Sequence, residues 1–163
     1  MPVSRVLMSP AIIALASNLK QSQQTVSVAE SASAGLISAA LLAAPGASAY
    51  FGGGSVIYSL KSRKILLGMR SQDVAGLAPM TEAMAMRFAQ KTRQHLKTTW
   101  AVAELGAAGP TGVSYGYPAG TSVIAVDGPN PCSVTINTNS NIREDNMWAF
   151  MQAAIDLLTE AIG

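Results

Sequence analysis

From Thr25 to Ala29 the chain is a short apolar run. It crosses Glu30-Ser31-Ala32-Ser33-Ala34-Gly35 and enters a second apolar stretch, Ala34 to Ala43, at helical spacing. This reads as a buried strand feeding a helix through a serine- and glycine-containing turn. The N–H groups at such a helix start have no partner within the helix. They suit an anion, either a phosphate or a developing oxyanion. Ser31 stands at the mouth of that turn. Its hydroxyl can attack a substrate, bind one, or cap the helix, and Ser33 is the better placed of the two serines for the cap.

The same alternation runs along the chain. Ala11 to Gln21 reads as helix. Phe51 to Ser59 holds Gly52-Gly53-Gly54 and then a second strand, Ser55 to Tyr58. Lys61 to Leu67 is a short helical turn closed by Gly68, and Ser71 to Leu77 another short helix. Thr81 caps a longer helix that runs to about Lys97, with Met80, Met84 and Met86 as core residues. Trp100 to Leu105 is a third strand, and Gly106 to Gly112 a second glycine-rich loop. Thr121 to Asp127 and Ser133 to Thr138 form an antiparallel hairpin across Gly128-Pro129-Asn130-Pro131, and a last helix spans Glu144 to Ile162. Five strands among helices predict an α/β sandwich with a mixed sheet, in one domain without linker or repeat.

Composition narrows the function classes. Charged residues are 12% of the 163, about half the roughly 25% of an average chain. So few charges imply extensive burial and a homo-oligomer interface. The net charge is +2 and the basic residues are scattered, unlike the basic stripe of a nucleic-acid binder. Cys132 is the only cysteine and reads as a small buried residue. His95 is the only histidine; Lys91, Arg93 and Lys97 around it mark a solvated helix face. One of each argues against a zinc site and a Ser-His-Asp triad. Arg5 followed by Val6 to Ser17 faintly resembles a signal peptide. A single positive residue is a poor n-region, so a helix through Gln21, with Pro10 in its first turn, is preferred. No run is long enough to cross a membrane, and the expected location is the cytoplasm.

Three segments carry candidate chemistry: the Ser31 turn, Tyr58 with Lys61, Arg63 and Lys64, and the Gly106–Gly112 loop. Each follows a predicted strand. Ligands of α/β sheets sit beyond the carboxyl ends of strands, so the three can share one pocket.

Read in order, Ala29-Glu30-Ser31, Ser33 and Gly35, Pro45-Gly46-Ala47-Ser48-Ala49, Tyr58-Ser59, Leu66-Leu67-Gly68, Gly106-Ala107-Ala108-Gly109-Pro110 and Pro118-Ala119-Gly120-Thr121 resemble the C-terminal domain of the CinA (competence/damage-inducible) family. The resemblance spans nearly the whole chain. It implies a three-layer α/β/α sandwich with a mixed sheet of about five strands. It also implies a nicotinamide mononucleotide amidase that works by a serine–lysine mechanism, without metal or other cofactor. In that scheme Ser31 attacks the amide carbon and a lysine takes its proton, a role open to a desolvated lysine near other cations. The helix start after Ser31 holds the oxyanion. Gly106, Ala107 and Gly109 shape the nucleotide site, and Arg143 contacts phosphate. Glu30, Ser33, Gly35 and Arg63 complete the expected substrate-binding set, with Tyr58 positioning substrate.

The chain departs from the pattern where the base belongs. Five residues after Tyr58 stands Arg63, and arginine stays protonated in proteins. Lys61 and Lys64 flank it, and one of them has to serve as base if the domain is active. The family's Thr-Gly-Gly is Ser33-Ala34-Gly35 here, its hydroxyl before the glycine loop is Leu105, and a second basic position in the last helix is Met147. Glu104 at the end of an apolar strand needs a partner if buried, and Arg63 or Lys61 is the expected one. The alternatives to an amidase are a catalytically lapsed relative that binds a nucleotide or other anion, and a structural subunit.

Overall fold

A computed structural model describes residues 4–163. Its elements are α1 (Pro10–Gln21), β1 (Val26–Glu30), α2 (Leu36–Ala43), β2 (Phe51–Val56), α3 (Leu60–Leu66), α4 (Glu82–Leu96), β3 (Trp100–Ala107), β4 (Thr121–Asp127), β5 (Cys132–Asn137) and α5 (Arg143–Ile162). The five strands form one sheet in the order β2-β1-β3-β4-β5. β1 lies parallel to both β2 and β3, and β4 is antiparallel to β3 and to β5. The sheet is therefore mixed, and the predicted β4–β5 hairpin is present.

Strand side chains alternate between faces, and the core divides by that rule. Val26, Val28, Trp100, Val102, Ile124 and Val126 join the helices α1, α2 and α5. Ala29, Ala103, Leu105, Val123 and Ala125 join Met84, Ala85, Phe88 and Ala89 of α4. Both sheet faces are covered, which gives the three layers. The rule also puts Glu30 and Glu104 on the α2/α5 face, and the two are register partners.

Helix starts are set by hydroxyls. Ser9 Oγ accepts from Ile12 N at 3.3 Å, and Pro10 follows in the first turn, where its missing N–H costs nothing. Thr81 Oγ1 accepts from Met84 N at 3.2 Å, as the sequence predicts. Ser59 and Ser62 cap α3 reciprocally.

Several boundaries differ from the sequence reading. β2 begins at Phe51, so the glycine run lies inside the strand. At Gly54 a Cβ would run into Ser38 Oγ, so the glycine lets α2 pack on bare backbone. The helix expected from Ala34 begins at Leu36, because Ala34 and Gly35 are left-handed, at φ 56 and 100. Ser71 to Val74 is a 3-10 turn. Its Asp73 carboxylate accepts from Arg70 N at 2.8 Å and pairs with the Arg70 guanidinium, which holds the Asp73 pKa down at about 2. Cys132 is half-buried at the edge strand, and His95 is exposed. Among the described residues no helix is long and apolar enough to cross a membrane.

Candidate ligand-binding crevice

β3 outruns β1. Pairing with β1 stops at Glu104, while Gly106 and Ala107 still pair with Ser122 and Thr121 of β4. The chain leaves β1 toward β2 and leaves β3 toward β4, so their carboxyl ends part company. Such divergence opens the crevice where α/β sheets bind ligands. A cavity of about 180 Å³ lies there, lined by Ala32, Tyr58, the loop residues 106–109 and 111–113, and Arg143. Tyr58, Gly106, Ala107, Gly109 and Arg143 are thus brought together around one space.

Arg143 opens α5. Its Nη1 donates to the Gly109 carbonyl at 2.5 Å and its Nη2 to Tyr58 Oη at 3.4 Å. Both partners are neutral, no described carboxylate pairs with this guanidinium, and no acidic residue lines the cavity. Arg143, Asn146, Met147 and Phe150 share one face of α5 at helical spacing. Asn146 is fully buried; its Nδ2 donates to Ala108 O at 2.8 Å and Ser140 O at 2.9 Å, tying the loop after β3 to the loop after β5. Phe150 packs on Ala32 and Ala108. A Cβ on Gly106 would lie 2.8 Å from Phe150 Cε2 and 3.0 Å from Ala32 Cβ, so only glycine fits between them. Asn146 and Phe150 were missed from sequence; their signal was the helical spacing from Arg143.

The Ser31 turn is held by two buried carboxylates. Glu30 Oε1 accepts from Gly35 N at 2.8 Å and Ile37 N at 3.0 Å, and its Oε2 accepts from Ser38 N at 2.9 Å and Ser38 Oγ at 2.8 Å. Glu104 Oε2 accepts from Ser31 N at 3.1 Å and Ser33 N at 2.9 Å, and Ser122 Oγ donates to Glu104 Oε1 at 3.2 Å. Ser33 Oγ sits 2.8 Å from Glu30 Oε1 and 2.8 Å from Glu104 Oε2. The Ser33 hydroxyl thus bridges the two carboxyl groups. Burial raises the pKa of Glu104, against the bonds from Ser33 and Ser31, and the Glu30 charge adds to the rise.

This geometry corrects four expectations. Of the N–H groups expected to receive an oxyanion, those of Gly35, Ile37 and Ser38 are engaged by Glu30 and those of Ser31 and Ser33 by Glu104, and only Ala32 N, on the crevice wall, hydrogen-bonds to no described residue. Glu30, expected among the substrate-binding residues, is fully buried and anchors α2 instead. Ser33 is not the side-chain cap of α2, and Gly35 occupies the N-cap position without one. The partners of Glu104 are Ser31, Ser33 and Ser122, not Arg63 or Lys61.

The basic cluster also disperses. Lys61 and Lys64 are exposed on α3 and hydrogen-bond to no described residue. Arg63 turns inward. Its Nε donates to Ile57 O at 3.2 Å and its guanidinium carbon lies 5.2 Å from the Phe88 ring centroid. Arg63 lines no part of the crevice. Ser31 is 4% exposed. Its Oγ has no hydrogen-bond partner among the described residues. No fully buried side-chain oxygen there lacks one, so this hydroxyl touches solvent. Among the described residues no three His, Cys, Asp or Glu side chains gather as metal ligands would.

Comparison with known proteins agrees with this architecture. The model of the CinA C-terminal domain matches residues 10–162. A CinA-like protein of Parasynechococcus marenigrum is 38% identical over 117 residues, 72% of this chain and 28% of that protein. One of Trichormus variabilis is 33% identical over 143 residues, 86% of this chain and 34% of that protein. The chain thus spans between about a quarter and about a third of the length of these curated relatives. The crystal structure of the competence/damage-inducible protein CihA from Agrobacterium tumefaciens superposes with a TM-score of 0.82 at 25% identity, covering 97% of this chain and 99% of that one. The competence or damage-inducible protein from Enterobacter asburiae superposes with a TM-score of 0.86 at 24% identity, covering 94% and 96%. The fold, the order of the motifs and the family match agree: this chain belongs to the CinA C-terminal domain family.

Proposed function

We propose that the crevice binds a small phosphate-bearing ligand, of the pyridine-nucleotide class that the family resemblance implies, and does not turn it over. The observation that carries this reading is Arg143. Its guanidinium is fixed on two neutral oxygens beside glycine-loop backbone, with no carboxylate paired to it. An arginine fork so placed suits a phosphate.

Two features favour binding over turnover. A serine nucleophile needs a base within hydrogen-bond reach, and no lysine meets Ser31 Oγ. An acyl-transfer oxyanion needs convergent free donors, and with the Ser31 and Ser33 N–H groups on Glu104 and that of Ala34 on Ser31 O, the turn offers only Ala32 N. The amidase is the second reading, favoured by the unpartnered, solvent-touched hydroxyl of Ser31. Ammonia release from nicotinamide mononucleotide separates the two. The expected result is release at the protein-free rate. Release above that rate that disappears in Ser31→Ala overturns the proposal in favour of the amidase.

A further inference from the structure

A second groove, of about 300 Å³, lies between α3, the 3-10 turn at Ser71 and α4. Its walls are apolar, built on Leu60, Met69, Val74, Met84 and Phe88, and three cations, Arg63, Lys64 and Arg70, stand on it. No acidic residue lines it. Asp73, on the same 3-10 turn, is engaged by Arg70 at 3.3 Å and Lys91 at 3.6 Å. A cavity of this size is at the lower end of small-molecule sites, about 300–1,000 Å³.

Arg63 is the group left wanting a partner. Burial lowers its pKa, with Tyr115 and Glu104 acting in the opposite sense. The only hydrogen bond of its side chain among the described residues is Nε to Ile57 O. The two Nη nitrogens pair with no described carboxylate, and the guanidinium face is stacked on Phe88. A partly buried cation without a counter-charge is a costly arrangement that an anion relieves. The apolar walls demand that the anion carry an apolar body. The two methionines, unbranched and polarizable, adapt well to an aromatic one.

We infer that this groove is a binding site for a small aromatic carboxylate, its carboxylate on the Nη nitrogens of Arg63 and its ring between Phe88, Met69 and Met84. The site shares no lining residue with the crevice and does not depend on what the crevice binds.

The test is calorimetric titration of the full chain with 1-naphthoate and, in parallel, with the neutral 1-naphthalenemethanol. The expected result is saturable one-to-one binding of naphthoate with Kd below about 1 mM, and binding of the alcohol at least ten-fold weaker. Arg63→Gln should cost naphthoate ten-fold or more while leaving the alcohol unchanged. Val74→Trp, which fills the groove, should abolish both. Should Arg63→Gln fail to fold, the two ligands on the unaltered chain and the Val74→Trp result decide the matter. Equal affinity for acid and alcohol, no saturation with naphthoate, or binding that survives Val74→Trp overturns the inference.

Discussion

Glu104 is the residue on which the Ser31 turn depends. It is completely buried beside Glu30, and burial holds its pKa above the ordinary carboxyl value. A carboxyl raised on folding binds more protons in the native state than in the unfolded one. Its contribution to stability is present at low pH, below the unfolded pKa, and is lost as pH rises through the folded pKa. Glutamine keeps one oxygen as the acceptor for Ser31 N and Ser33 N, turns its amide NH2 toward Ser122 Oγ, and does not titrate. Melting temperature against pH should therefore fall for the wild type relative to Glu104→Gln as pH climbs from about 4.5 toward neutrality. Parallel curves would contradict a Glu104 pKa raised on folding. Arg63→Lys is a second test at this scale. A lysine there replaces the missing residue type but frees neither Ser31 N nor Ser33 N. The variant should release ammonia from nicotinamide mononucleotide no faster than the blank, and release above it would show that Glu104 does not block turnover.

The first turns of α5 position the crevice. Asn146→Ala leaves the carbonyls of Ala108 and Ser140 without their buried donor and should destabilise the fold by about 2–4 kcal/mol, read by urea unfolding. Phe150→Ala empties the space under Gly106 and should cost about 3–5 kcal/mol. A loss under 1 kcal/mol in both would mean that this face does not support the loop. How much of this was legible beforehand follows from what each signal reports. The strands and long helices were readable because period and caps are local, as at Thr81 and the β4–β5 hairpin. The convergence of Tyr58 and the glycine loop followed from their places after strands. The fate of Glu104 was not readable. Strand parity assigns it to the face of Glu30, but only the parallel register of β1 and β3 makes the two neighbours and aims them at the Ser31 turn. Arg63 was misplaced for a similar reason: one residue on a helix turns a side chain by about 100°, and the orientation of α3 decides which groove it enters.

At the scale of the molecule, the sheet is shielded on both faces but open at its β2 edge. That strand carries no charge or proline to discourage pairing. Its last residue, Val56, is 43% exposed, and on α3 Leu60 is 80% exposed, Ile65 66% and Leu66 52%. Together with the low charge content, this predicts self-association. Sedimentation velocity should report an assembly larger than the monomer, and Val56→Lys should shift it toward monomer; a monomer at all concentrations would refute the prediction. Because the chain covers only about a third of the length of its curated relatives, the crevice is best probed as a binding domain in its own right. The most direct measurement is calorimetric titration of nicotinamide mononucleotide into the wild type and Arg143→Ala. A charge-assisted contact contributes about 1.5–3 kcal/mol, so saturable binding weakened ten-fold or more by the substitution is the predicted result. No binding to the wild type, or equal binding to both proteins, would contradict an Arg143-centred anion site.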